Sequence, residues 1–110
     1  NLYGLTEEEL EIFDLLIKGK TLTKAEEQKV ILSAKNLYQK LNANQNTLFV
    51  ADWYKDEQPK AKVKTAIMDT LDAGLPESYD KDVFNAKTDL LLNHFIDMAV
   101  QGYGWIGRQL

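Results

Sequence analysis

The sequence predicts an all-α fold: a single helical bundle of about four helices, followed by a C-terminal tail of glycines and aromatics. Three observations lead there. Apolar residues recur at spacings of three and four in four separate segments. Two of those segments open on Thr-x-x-Glu, the spelling of a helix N-terminus. No segment alternates convincingly as a strand, and nothing repeats internally. At 110 residues there is room for one domain and one core.

In the first segment, "LTEEELEIFDLLIKG", Thr6 and Glu9 form a capping box, Glu7 and Glu8 favour the positive helix end, and Gly19 marks the stop. Leu10, Phe13 and Ile17, with Leu16 beside them, form the expected inward stripe, and the glutamates form a solvated first turn. The second helix, near 24–42, opens on Thr23 and Glu26 and carries Val30, Ala34, Leu37 and Leu41. "NANQN", 42–46, reads as a polar loop, and "LFVA", 48–51, as a buried connector. The third helix spans about Pro59 to Ala73, since proline is tolerated in a first turn; Val63, Ile67 and Leu71 line its face and Gly74 ends it. Asp80 caps a fourth, with Phe84, Leu91, Phe95 and Met98 on one stripe, before the aperiodic "QGYGWIGRQL".

Seventeen acidic residues against thirteen basic give a net charge of −4, so any nucleic-acid contact must be a local patch. With no cysteine, thiolate metal sites, disulfides and cysteine nucleophiles are excluded, which suits a cytoplasmic location. No apolar run approaches the ~18 residues of a membrane span and no signal peptide is evident, so no membrane partner is expected. Beginning at Asn1, the chain reads as a piece of a larger protein.

Chemistry is expected to be absent. There is no phosphate-binding glycine loop, and the single histidine, His94, cannot make a histidine pair for a metal; it reads as a half-buried structural residue on the fourth helix, an interface or pH-sensitive role being the alternative. Glu27-Gln28-Lys29 spells E-x-K but on a helix, and Ser33, Ser78 and the threonines have no partner base. No catalytic, cofactor-binding or metal residue is therefore assigned.

Taken together, "LTEEELEIFDLL", "VADWYKDEQPKAKVK", "LPESYDKDVFNAK" and the helix through "FIDMA" stand in the order found near the C-terminus of restriction (R) subunits of type I restriction–modification enzymes. The resemblance covers nearly the whole chain. Asp52-Trp53, Asp56-Glu57-Gln58, Leu75-Pro76 and Ser78-Tyr79-Asp80 carry it together. Many relatives have Thr-Arg where this chain has Pro59-Lys60, so no arginine contact is carried over.

What the resemblance implies is a non-catalytic helical C-terminal domain that attaches an ATP-dependent DNA translocase and endonuclease to its methyltransferase core, in DNA restriction. ATP and Mg would belong to upstream domains of the parent, and the implied partners are the methyltransferase and specificity subunits. Aromatic anchors outside the helical stripes, Trp53, Tyr54, Tyr103 and Trp105, are the expected interaction residues, with Trp53 reading equally as a core anchor. The alternative is DNA-backbone contact through the lysine face of 55–64, with Lys55, Lys60, Lys62 and Lys64, although lysines opposite an apolar stripe are most often simply solvated and this face also reads as a protein-docking edge.

Overall fold

The computed structural model describes residues 3–102; Tyr103 and Trp105 lie outside them. Among the described residues there are five α-helices and no strand: α1 (Glu7–Ile17), α2 (Lys24–Ala43), the single turn α3 (Gln45–Leu48), α4 (Glu57–Gly74) and α5 (Lys81–Gln101), with a 3₁₀ turn at Trp53–Lys55. The four long helices close a ring, α1 on α2, α2 on α4, α4 on α5 and α5 back on α1, which is the predicted bundle.

Local chemistry explains most of the boundaries. Both capping boxes form: Thr6 accepts from Glu9 N–H at 3.2 Å while Glu9 accepts from Thr6 N–H at 2.8 Å, and Thr23 and Glu26 do the same at 3.1 and 2.9 Å. Asp80 accepts from Val83 N–H at 2.9 Å to start α5. Gly102, at φ 74°, takes the left-handed turn that closes it.

The stripes of α2 and α4 are as expected: Val30, Ala34, Leu37 and Leu41 meet Val63, Ile67 and Leu71, all fully buried. In α1 the stripe is rotated. Ile12, Phe13 and Leu16 are buried, while Leu10 and Ile17 are half-buried, because α1 packs against both α2 and α5 and its buried arc faces between them. Glu9, expected in a solvated turn, is buried by its capping role. In α5 the core is Leu91, Leu92, Phe95 and Ala99, with Phe84 and Met98 only half-buried.

Other expectations change more. "NANQN" is not a loop: α2 runs to Ala43, the Asn44 side-chain amide donates to Lys40 O at 2.7 Å, and α3 begins at the next residue. Its amides satisfy the local backbone, so the chain leaves helical geometry at Asn44 alone before α3 begins. In "LFVA", Phe49 is fully buried but Val50 is 40% exposed. α4 starts at Glu57, which places Pro59 third, ahead of the first intrahelical acceptor need; Lys60 N–H makes the first such bond, to Asp56 O at 3.1 Å.

Gly74 has a different purpose from the one its position suggests. It is the last residue of α4 rather than a left-handed cap. A Cβ there would lie 2.4 Å from Ser33 Oγ on α2, so the glycine permits the close approach of the two helices.

Candidate docking groove

Of the aromatic candidates, Trp53 belongs to the core. It is 1% exposed and packs edge-on against Phe49 at 5.3 Å and Tyr54 at 5.8 Å, so it cannot serve as a docking anchor. The reason is tertiary: the 3₁₀ turn at Trp53–Lys55 packs against α4 and carries the indole into the core cluster. Tyr54 stays half-buried, with Lys55 Nζ 5.9 Å from its ring.

The lysines do not form one track. Lys55 pairs with Asp52 at 3.4 Å, Lys60 with Glu57 at 3.2 Å, and Lys64 with Asp89 of α5 at 3.5 Å. Lys60 and Lys64 turn to the α4–α5 side, whereas Lys62 rims the α2–α4 side. A phosphate backbone would have to displace three carboxylates, and the face would still point two ways.

On the outer α2–α4 side lies a surface that sequence reading missed. Two adjoining hollows, about 560 and 520 Å³, run along the antiparallel pair and share Lys40 and Asp69. One is framed by Lys29, Leu32 and Ser33 against Thr70, Ala73 and Gly74; the other is framed by Leu48 against Ala61 and Thr65. Leu32 is 57% exposed, one of few large apolar side chains left in water. Three lysines, Lys29, Lys40 and Lys62, rim the groove against one carboxylate, Asp69, in a chain that is acidic overall. At its floor, Ser33 Oγ is buried with no hydrogen-bond partner among the described residues, pressed toward Gly74. Leu32, an apolar residue off the Val30–Leu41 stripe, was the available signal.

The α1–α5 side is the electrostatic opposite. His94 Nε2 lies 3.4 Å from Glu11, and Glu7, Glu8 and Asp97 line the same hollow of about 500 Å³. His94, half-buried, thus faces Glu11 of α1 across this hollow. Among the described residues no group of three or more histidine, aspartate or glutamate side chains is placed to hold a metal ion, and no helix is long and apolar enough to cross a membrane.

One end of the bundle is stapled rather than open. Lys87 of α5 is buried and donates to Leu15 O at 2.8 Å and Lys18 O at 2.6 Å, capping the end of α1. Burial, then Lys18 and Lys20, hold its pKa below the ordinary lysine value. Tyr79 donates to Leu16 O at 2.8 Å, and burial, with Glu26 second, pushes its phenol up to about 12. Lys20 donates to Ser78 O at 3.1 Å and sits over the Tyr79 ring, while the Ser78 hydroxyl donates to Glu26. That bond, ahead of the Thr23 backbone, lowers the Glu26 pKa. These contacts give the "LPESYD" segment a structural task.

No protein-family model, curated protein or solved structure matches the chain.

Proposed function

We propose that this chain is a non-catalytic assembly domain of the R subunit of a type I restriction enzyme, docking the translocating subunit to the methyltransferase core. The reading rests on the four motifs that resemble that family, in their order along the chain. The observation that carries it in the fold is the open, partly apolar α2–α4 groove with Leu32 exposed, a surface suited to holding another protein. In this role the domain turns over no substrate and binds no cofactor; ATP and Mg serve the parent's upstream motor and nuclease in the cytoplasm.

DNA-backbone contact through Lys55, Lys60, Lys62 and Lys64 is the weaker reading, given three ion pairs and two directions. A salt titration separates the two. Binding of the 110-residue chain to a purified methyltransferase–specificity complex is expected to change modestly between about 50 and 200 mM salt, whereas six or more phosphate contacts would lose ~10³-fold or more. No binding to that complex at any salt, or a steep loss on duplex DNA, overturns the assembly role.

A further inference from the structure

We propose that the α2–α4 groove seats an amphipathic helix of a partner protein, its apolar stripe on Leu32, Leu48 and the small α4 residues, and its flanks acidic. From the proposed function this takes only that the domain docks to a protein.

Shape, composition and charge converge on that occupant. The lining residues recur at three and four along both helices: Lys29, Leu32, Ser33, Asn36 and Lys40 on α2, and Ala61, Thr65, Asp69, Thr70 and Ala73 on α4. Two antiparallel helices so spaced leave a furrow that takes the ridge of a third, and small side chains on α4 allow it to approach. From Gln58 to Gly74 the furrow runs about 24 Å at 1.5 Å per residue, the length of some four helical turns. The ring of four long helices is already closed without it, so a helix laid here adds to the outside of the bundle. Charge selects the partner's flanks. Lys29, Lys40 and Lys62 outnumber Asp69 along this furrow, while the α1–α5 hollow collects Glu7, Glu8, Glu11 and Asp97. An acidic helix is attracted to the first and repelled by the second, and a basic helix would behave conversely.

Two synthetic helical peptides, each with one leucine stripe and flanked by glutamates or by lysines, are titrated into the isotope-labelled 110-residue chain. The glutamate peptide is expected to perturb amides around Leu32, Ala61, Thr65 and Ala73 and to bind at least tenfold more tightly than the lysine peptide. Leu32→Glu, at an exposed position that leaves melting unchanged, should abolish those shifts, and the triple reversal of Lys29, Lys40 and Lys62 to Glu should invert the charge preference. Shifts confined to another face, no glutamate-peptide binding at millimolar concentration, or equal affinities sink the proposal. So does a chain that dimerises through the furrow, or duplex DNA that occupies it. Association with the methyltransferase complex is then measured for Leu32→Glu. If the peptide occupies the furrow but the wild-type chain does not assemble, the helix site stands and the assembly role falls; if wild type assembles while the glutamate peptide neither binds nor competes, the reverse holds; and normal assembly of Leu32→Glu would mean that the furrow is not the surface that meets the complex.

Discussion

At the stapled end of the bundle a lysine runs inward; along the α2–α4 groove lysines stand outward, and the contrast separates what holds this fold from what the fold offers. Lys87 gives its ammonium to two carbonyls at the end of α1 and is buried for it. Among the described residues, Lys29, Lys40 and Lys62 meet no such carbonyls; they rim a furrow lined by one carboxylate, Asp69. The same residue type is therefore a structural cap in one place and the rim of an open groove in the other, decided by which backbone ends lie within reach.

The largest test of that division is at the connector, where the two neighbours Trp53 and Tyr54 fall on opposite sides of it. Trp53→Ala empties a fully buried site and is expected to lower unfolding free energy by about 3–5 kcal/mol in urea denaturation. Tyr54→Ala, half-buried against the indole, should cost roughly 1 kcal/mol. Equal losses would mean that the connector packs as one unit and that Tyr54 is no surface residue.

Next comes the groove floor. Gly74→Ala drives a methyl into Ser33 Oγ and should destabilise by about 1–3 kcal/mol as the helices shift apart. Ser33→Ala in the same chain removes the obstructing atom, leaving Ser33 Cβ at an ordinary 3.6 Å, and is expected to restore most of the loss. A double-mutant cycle with no coupling would show that the close approach is not what requires glycine here.

The all-α bundle was legible in the sequence because its evidence is local: stripes at 30/34/37/41 and 63/67/71, and cap residues three apart. What stayed hidden is long-range. Trp53 sits in an aperiodic connector, so no period could reveal which way it faces. Lys87 reaches carbonyls 69 and 72 residues away, and nothing near it announces them. Gly74 stood at a helix end, where its usual meaning as a left-handed cap concealed a steric one. Of the expected anchors, Tyr103 and Trp105 lie outside the described residues, and the groove emerges only when off-stripe Leu32 is set beside α4.

Lysine itself supplies the third comparison. Lys87→Met keeps the length of the side chain but strips two carbonyls of their donor, and should cost about 1–3 kcal/mol. Lys62→Met, on the rim, should stay within ~0.5 kcal/mol of wild type. Thermal melts of both variants decide it: comparable shifts would place Lys62 in the structural class.

The smallest effect is read through pH, at the staple's phenol. Tyr79 donates to Leu16 O and keeps its proton to about 12 in the fold, against an ordinary value of 10.0, chiefly because burial disfavours the phenolate. Between those two values the native state holds a proton that the unfolded chain has lost, so the contribution of this group is complete below pH 10 and declines as pH rises through the window. Lys87, with its pKa lowered, acts in the opposite sense below its unfolded value of 10.5, stability rising with pH, and does so in wild type and variant alike. Tyr79→Phe should therefore cost about 1 kcal/mol near neutrality, the worth of one buried hydrogen bond. The gap between variant and wild type should then narrow as urea denaturation is repeated from about pH 9 upward, because only wild type has a phenol to ionise. No gap near neutrality would mean that the ring, and not its hydroxyl on Leu16, holds the 75–80 segment to α1, and a gap that stays constant to pH 12 would mean that the phenol ionises alike in the folded and unfolded chain.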